Sequence, residues 1–391
     1  MEACKLIILS DTDPKLLTEG CGARDLCANF LKKAPSFGFE AVVCTSGDIN
    51  LHKGKVAYCR MLHENGEWVR RKFSGKIVCV YDRYVSKNSQ MKARVKRIRE
   101  FFCKKRIHMM PSRDFMKFSV DKFMLFKEFS CDPVLKDFLP DTILFQNKIT
   151  KEVVGFFDKY KSVIIKPRFG SKGRNVVLVS RVKSGYEFFY VTRKSGIIDS
   201  HSGVLKDLSE LSGLLKSLKF YYKNYIIQQA IDCLKYKGSV FDLRTVYQKS
   251  SFVSFARVGK KGYITSNVSI GGYLIDPAEI FKKVPDSGNV IRQFDKLQKL
   301  LVEKIGRRFD IPEFASDITI DVNGKLWLLE FNSIPGYIYF DCPEKQDVLD
   351  KFVENICRYV AGLLGHSWFL GYNSSIVFNL FFYGKFCSRS G

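Results

Sequence analysis

Three oxygen-bearing side chains in the last quarter of the chain have types and spacing suited to a hard cation: Asp317, Glu330 and Asn332. Asp317-Ile-Thr-Ile-Asp-Val-Asn-Gly-Lys325 alternates like a strand and closes on Asn323-Gly324, the strongest short signal for a tight hairpin. Leu326–Asn332 then returns antiparallel, which can bring Asp317 opposite Glu330 and put Asn332 on the Glu330 face. The set contains no His and no Cys. Two carboxylates and an amide oxygen suit Mg²⁺, or Mn²⁺ in its place, shared with a polyphosphate. A surface hairpin with solvated acids has the same spacing, and the motif alone does not separate the two readings.

Cationic groups occur at two earlier places. Ser162-Val-Ile-Ile-Lys166 runs into Pro167-Arg-Phe-Gly-Ser-Lys-Gly-Arg174, and Asn175–Val179 returns as its partner strand. Gly170 and Gly173 permit positive φ and close backbone approach, Ser171 and exposed amides can bond phosphate oxygens, and Lys166 supplies a fixed charge. The order of a P-loop is absent, and the loop joins two strands instead of opening a helix. Farther on, Gly238-Ser-Val-Phe-Asp-Leu-Arg244 and Ala256-Arg257 precede Ser266-Asn267 and Gly271-Gly272. Arg244 and Arg257 lie on adjacent strand-like segments and can point into one cleft, where arginines stabilise a transferring anion. Ordinary surface ion pairing is the plain alternative.

These residues need a scaffold, and the chain is long enough to supply one. With 391 residues, 46% of them hydrophobic and 27% charged, it reads as a globular protein of two or three domains. The excess of 64 Lys+Arg over 40 Asp+Glu gives a formal charge of +24, a field that attracts anions of any kind. Lys92–Arg99 and Lys104–Arg106 are the densest basic runs and read first as solvated helix faces. The aromatic stacking signatures of common RNA-binding folds are absent, which argues against a nucleic-acid partner. The 12 cysteines show no C-x-x-C spacing, so single thiols in a reducing compartment are expected. No signal peptide is visible at the start and no stretch is apolar enough to span a membrane, which sets the expected location as the cytoplasm.

Up to about Pro111 the pattern is α/β, with short buried strands at Leu6–Leu9, Ala41–Cys44 and Lys76–Tyr81 and a helix over Ala23–Lys33. Gly20-Cys-Gly22 resembles half a dinucleotide loop but reads as a plain turn. Helices are expected over Asp121–Phe129, Asp207–Phe220, Arg292–Phe309 and Phe352–Leu364. The division expected is an N-terminal α/β domain over 1–111, a larger domain over 112–365 and an aromatic tail over 366–391.

Taken in order, Tyr81-Asp82-Arg83, Asp121-Lys122, Ile165-Lys166-Pro167 with Gly170–Gly173, Tyr225–Ile231, Phe241–Arg244, Ala256-Arg257, Ser266-Asn267, Asp317 and Glu330-Phe-Asn332 with Pro335-Gly336 resemble the ATP-grasp superfamily. The spacing around Gln228–Arg244 resembles its YheC/YheD-type, endospore coat-associated group. The resemblance implies an α/β (α+β) ATP-grasp fold in which two antiparallel-sheet lobes clasp ATP behind a small α/β N-terminal domain. It implies that Lys122 and Lys166 touch the nucleotide phosphates and that Gly170, Ser171, Lys172 and Gly173 form a lid. Gln228, Gln229, Ala230 and Ile231 become the hinge beside adenine, with Asp232 near the ribose; many superfamily members have Glu where this chain has Gln228. Asp317, Glu330 and Asn332 become Mg²⁺ ligands, and Arg257, Arg244 and Asn267 stand by the γ-phosphate and the acyl group.

The activity this implies is an ATP-dependent ligase joining a small-molecule or peptide carboxylate, anionic by the lean of the net charge, to an amine or thiol through an acyl phosphate. The rival reading is an ATP-binding structural or coat-assembly protein that catalyses nothing. A spore-associated setting rests on the resemblance alone, and the sequence is silent on oligomeric state.

Overall fold

Among the described residues the strands form three six-stranded sheets and one two-stranded hairpin. The computed structural model describes residues 3–16, 22–84, 89–146, 148–170, 175–194, 197–217, 224–248, 251–336 and 346–365. Ser171, Lys172 and Gly173 of the expected lid, Gly20 and Cys21, and the aromatic tail from 366 lie outside these residues.

In the N-terminal sheet, Glu40–Thr45, Cys4–Ser10, Lys76–Asp82 and His108–Met110 run parallel in that order. The hairpin Tyr58–Leu62/Trp68–Lys72 adds antiparallel to the Glu40 side. The parallel strands are near-continuous apolar runs because both faces are covered. Helix Gly22–Lys33 and the C-terminal helix Gln346–Leu363 cover one face, while Ser89–Lys104 covers the other.

The second sheet is antiparallel, in the order Ile197–Leu205, Gly185–Lys194, Val177–Val182, Ser162–Pro167, Tyr225–Gln229, Thr142–Phe145. Alternation sends Val163, Ile165, Val177, Val179, Tyr225 and Ile227 into the core beneath helices Lys151–Lys159 and Ser209–Ser217. It leaves Lys166 and Gln228 on the opposite face.

The third sheet is also antiparallel, with Tyr273–Ile275, Ser251–Val258, Ser239–Gln248, Glu313–Ile320 and Leu326–Asn332 in order and the short Lys235–Tyr236 paired to the start of Ser239–Gln248. The long amphipathic helix Ser287–Arg308 covers its outer face through Phe294, Leu297, Leu301 and Ile305. Its inner face divides along the strands. Val246, Val253, Phe255 and Ala315 join the core shared with the N-terminal sheet and the C-terminal helix. Farther along, the same face carries Asp242, Arg244, Arg257 and Asp317.

The expected helix over Asp121–Phe129 is present as Lys122–Phe129, and a separate helix, Arg113–Val120, precedes it. Asp121 has extended φ/ψ, and its carboxylate accepts from the amides of Phe123 and Met124, which makes it the cap of the second helix. Among the described residues, no helix is long and apolar enough to cross a membrane.

Candidate functional site

The hairpin Glu313–Ile320/Leu326–Asn332 pairs Asp317 with Glu330 and Ala315 with Asn332. A register shift follows Asp317, so that Ile318 pairs with Leu328 and Leu329 is the extra residue of a bulge. This shift decides where the acids point. Strict alternation would place Glu330 on the face of Leu326 and Leu328, both packed in the core with Ile318 and Ile320. The bulge instead returns Phe331 to that core and turns Glu330 and Asn332 to the Asp317 side. The sequence reading had the pairing but not the bulge that makes it compatible with burial.

Asp317 is the centre of a buried ion network. Arg244, opposite it in register, donates from Nε to Oδ1 at 2.6 Å and from Nη2 to Oδ2 at 2.5 Å. Arg257 reaches Asp317 Oδ2 at 2.8 Å and makes a fork of its own to Asp242, at 2.6 Å for both bonds. Each of these four residues is less than 9% exposed, so this is not surface ion pairing. Burial raises the Asp317 pKa, but Arg244 and Arg257 outweigh it and hold the carboxyl well below the usual range. Asp242 has no role in the sequence reading. Its position, two residues from Arg244 and therefore on the same strand face, is the signal that points to it.

Glu330 differs. Burial raises its pKa; Lys122 and Lys166 draw it down and Asp317 pushes it up, with a net upward shift. Lys122 lies 3.8 Å from Glu330 and also donates to the carbonyl of Gly170 at 2.5 Å, joining the start of the glycine loop to the acidic hairpin. Its backbone is fixed from the same side. The Lys122 amide donates to the Arg168 carbonyl at 3.0 Å, and the Arg168 guanidinium forks onto Asp121 at 2.7 Å for both bonds. Arg168 is thus a second residue missed in the sequence, legible only as one more basic residue of the loop. The Lys166 pKa is lowered to about 8, chiefly by burial, with Lys122 adding to the shift and Glu330 and Asp317 opposing it.

The donor set fits a hard divalent cation. Asp317 and Glu330 share a hydrogen bond, and a carboxyl with a raised pKa beside an ionised one is a pair that a cation would relieve. Asn332 Oδ1 accepts from the Ile334 amide at 3.1 Å, which orients the oxygen and leaves it a second lone pair. Among the described residues no group of three or more His, Cys, Asp or Glu is gathered for a metal, so the set is two carboxylates and an amide.

Asn267 reaches the same neighbourhood through its loop. The hydroxyl of the preceding Ser266 donates to Asp242, and the Asn267 carbonyl accepts from Ile270 and Gly272 at 3.1 and 3.4 Å. Gly272 is required here, because a Cβ would lie 2.7 Å from the Val258 carbonyl.

The segment Gln228–Asp232 passes from one sheet to the other. Gln229 donates to the Asp141 carbonyl and Ala230 to the Ser162 carbonyl, both in the second sheet's neighbourhood. Val322 donates to the Asp232 carbonyl and Leu234 to the Ile320 carbonyl, on the third. Gln228 itself is buried, and its Nε2 donates to Thr142 Oγ1 at 2.9 Å. The Thr142 hydroxyl spends its only proton on the Pro140 carbonyl, also at 2.9 Å. The hydroxyl can therefore only accept from the amide, which sets Gln228 with its carbonyl oxygen turned away from Thr142.

The structure thus brings Lys122, Gly170, Asp317, Glu330, Arg244 and Arg257 together directly. It aligns Lys166 and Gln228 on the facing sheet. Residues 114–363 match the family model described as YheC/D like ATP-grasp. The chain belongs to this family. It is similar to the endospore coat-associated protein YheC of Bacillus subtilis (strain 168), at 24% identity over 353 residues, covering 86% of this chain and 92% of that protein. In fold it is similar to D-alanyl-alanine synthetase A from Vibrio cholerae, with a TM-score of 0.55, 10% identity and coverage of 93% of this chain and 99% of that one. It is also similar to a Chryseobacterium gregarium RiPP-associated ATP-grasp ligase in complex with ADP and a leader and core peptide, with a TM-score of 0.54, 12% identity and coverage of 92% and 96%. The ATP-grasp fold is therefore the architecture that positions this cluster.

Proposed function

We propose that the chain is an ATP-dependent ligase that activates a carboxylate as an acyl phosphate and joins it to an amine or thiol. The observation that supports this best is the convergence of one depressed and one raised carboxyl, two buried arginines and two lysines between the sheets of an ATP-grasp fold. Lys122 and Lys166 bind the phosphates, with Gly170, Ser171, Lys172 and Gly173 as the covering loop. Gln228 offers its carbonyl oxygen to the amino group of adenine, Gln229, Ala230 and Ile231 offer backbone groups, and Asp232 stands by the ribose. Asp317, Glu330 and Asn332 hold Mg²⁺, whose chemistry there is to neutralise phosphate oxygens as charge shifts.

In the first step a substrate carboxylate oxygen bonds to the γ-phosphorus and the bond to the ADP oxygen breaks. Arg257 and Arg244, fixed by Asp242 and Asp317, stabilise the charge on the transferring group, and Asn267 orients the acyl phosphate. In the second step the amine or thiol attacks the acyl carbon, phosphate leaves and the nucleophile loses its proton.

The names of the similar ligases, one making an amino-acid dipeptide and one bound to peptides, support an amino-acid or peptide carboxylate. The YheC name supports a spore-associated setting. Incubation with MgATP and pools of amino acids, short peptides and polyamines, followed by ADP release and product mass, tests the reading. Substrate-dependent ADP with a mass gain in one pool is the expected result. Saturable ATP binding without ADP in every pool would favour the structural, non-catalytic rival.

A further inference from the structure

A second site lies on the N-terminal sheet. Where strand Glu40–Thr45 ends, a cavity of about 340 Å³ opens between the turn Ser46–Asp48, the short hairpin that follows it and helix Ser89–Lys104. Leu51 and Tyr58 give it apolar lining beside His52, the largely buried Ile49 borders it, and Arg94 and Arg97 line it from the helix. Three residues apart, the two arginines share a helix face.

The charges around this cavity do not balance. Arg94 donates from Nε and Nη2 to the Ser46 carbonyl at 3.2 and 2.9 Å, and from Nη2 to the Ile49 carbonyl at 3.2 Å. These acceptors are neutral, so they fix the guanidinium without compensating it, and Nη1 takes part in none of the three bonds. Arg97 is exposed and pairs with no acid among the described residues. No Asp or Glu lines the cavity. The nearest acid in sequence, Asp48, is 1% exposed and fully engaged: it accepts from the Thr45 amide and hydroxyl at 2.8 Å each and pairs with Arg60 and Arg70.

We propose that this cavity is an anion site separate from the cleft, taking a small carboxylate or phosphate that carries an apolar group. Guanidinium forks match both oxyanions. Low-dielectric walls of one sign concentrate anions, and carbonyl bonds that already hold Arg94 lower the entropy lost on binding. The volume is at the lower end of the range for small-molecule sites. None of the lining residues belongs to the cleft cluster, so the site stands or falls independently of the ligase reading.

The test is calorimetric titration of the full chain with phenyl phosphate, phenylacetate and benzyl alcohol, repeated on Arg97→Glu, a change at an exposed position. At least one anion binds saturably, benzyl alcohol binds at least tenfold more weakly, and Arg97→Glu lowers the anion's affinity at least tenfold while ATP affinity is unchanged. Preference for phenyl phosphate assigns a phosphorylated ligand, and preference for phenylacetate a carboxylate. Absence of saturable anion binding, or equal affinity in Arg97→Glu, overturns the proposal.

Discussion

The two antiparallel sheets that flank the cleft hold their functional groups by opposite means. The third sheet fixes Asp242, Arg244, Arg257 and Asp317 in a closed network of forked ion pairs below 9% exposure. The second sheet presents Lys166 with a pKa drawn down by burial, and Gln228 held by a neutral chain to Thr142 and Pro140. One side is therefore rigid through compensated charge. The other carries a lysine whose charge burial disfavours, an effect that Glu330 and Asp317 only partly offset.

That difference separates stability from binding. Replacing Asp317 by Ala leaves two arginines buried without their shared acid and lowers stability by about 3–5 kcal/mol, read from urea unfolding. An unchanged midpoint would show that the network is solvated after all. Replacing Lys166 by Met removes a group whose burial is unfavourable, so the melting temperature holds or rises. ATP affinity nevertheless falls about tenfold to a hundredfold, as for other hydrogen bonds to charged groups. Loss of both together would erase the contrast between the sheets.

The pH dependence sharpens the same point. Below about 8 Lys166 is protonated in the free protein and ready for phosphate. Above it, binding must take up a proton, so ATP affinity weakens as pH rises through 8 in the wild type but not in Lys166→Met. Metal affinity runs the other way. Glu330 has a raised pKa, so Mg²⁺ binding is lost as pH falls through that value. Titrations at several pH values check both signs. The smallest effect belongs to Thr142. Thr142→Val frees the Gln228 amide to turn over and reduces the preference for ATP over GTP by about tenfold, whereas Thr142→Ser retains it.

Several of the ordered motifs made the fold legible because they fall at element ends: Tyr81-Asp82-Arg83, Lys166-Pro167 and Glu330-Phe-Asn332 at strand ends and Asp121-Lys122 at a helix start. Asn323-Gly324 fixed the hairpin, and the strand–glycine loop–strand pattern fixed Lys166. What was not legible was geometry that breaks a local rule. The bulge at Leu329 reverses the alternation that a strand reading assumes. Asp242 and Arg168 were harder to read for another reason: their work is to orient Arg257 and to fix Asp121, partners 15 and 47 residues away, and only the placement of Asp242 two residues from Arg244 leaves a local sign.

If the Asp317–Asn332 hairpin is the metal platform of a working ATP site, ADP release depends on the Glu330 carboxylate. Mg²⁺-dependent ADP release by the wild type and by Glu330→Gln, with folding of both checked by circular dichroism, tests it most directly. Release by the wild type and none by the folded variant is the expected result. Turnover of Glu330→Gln at the wild-type rate would contradict it.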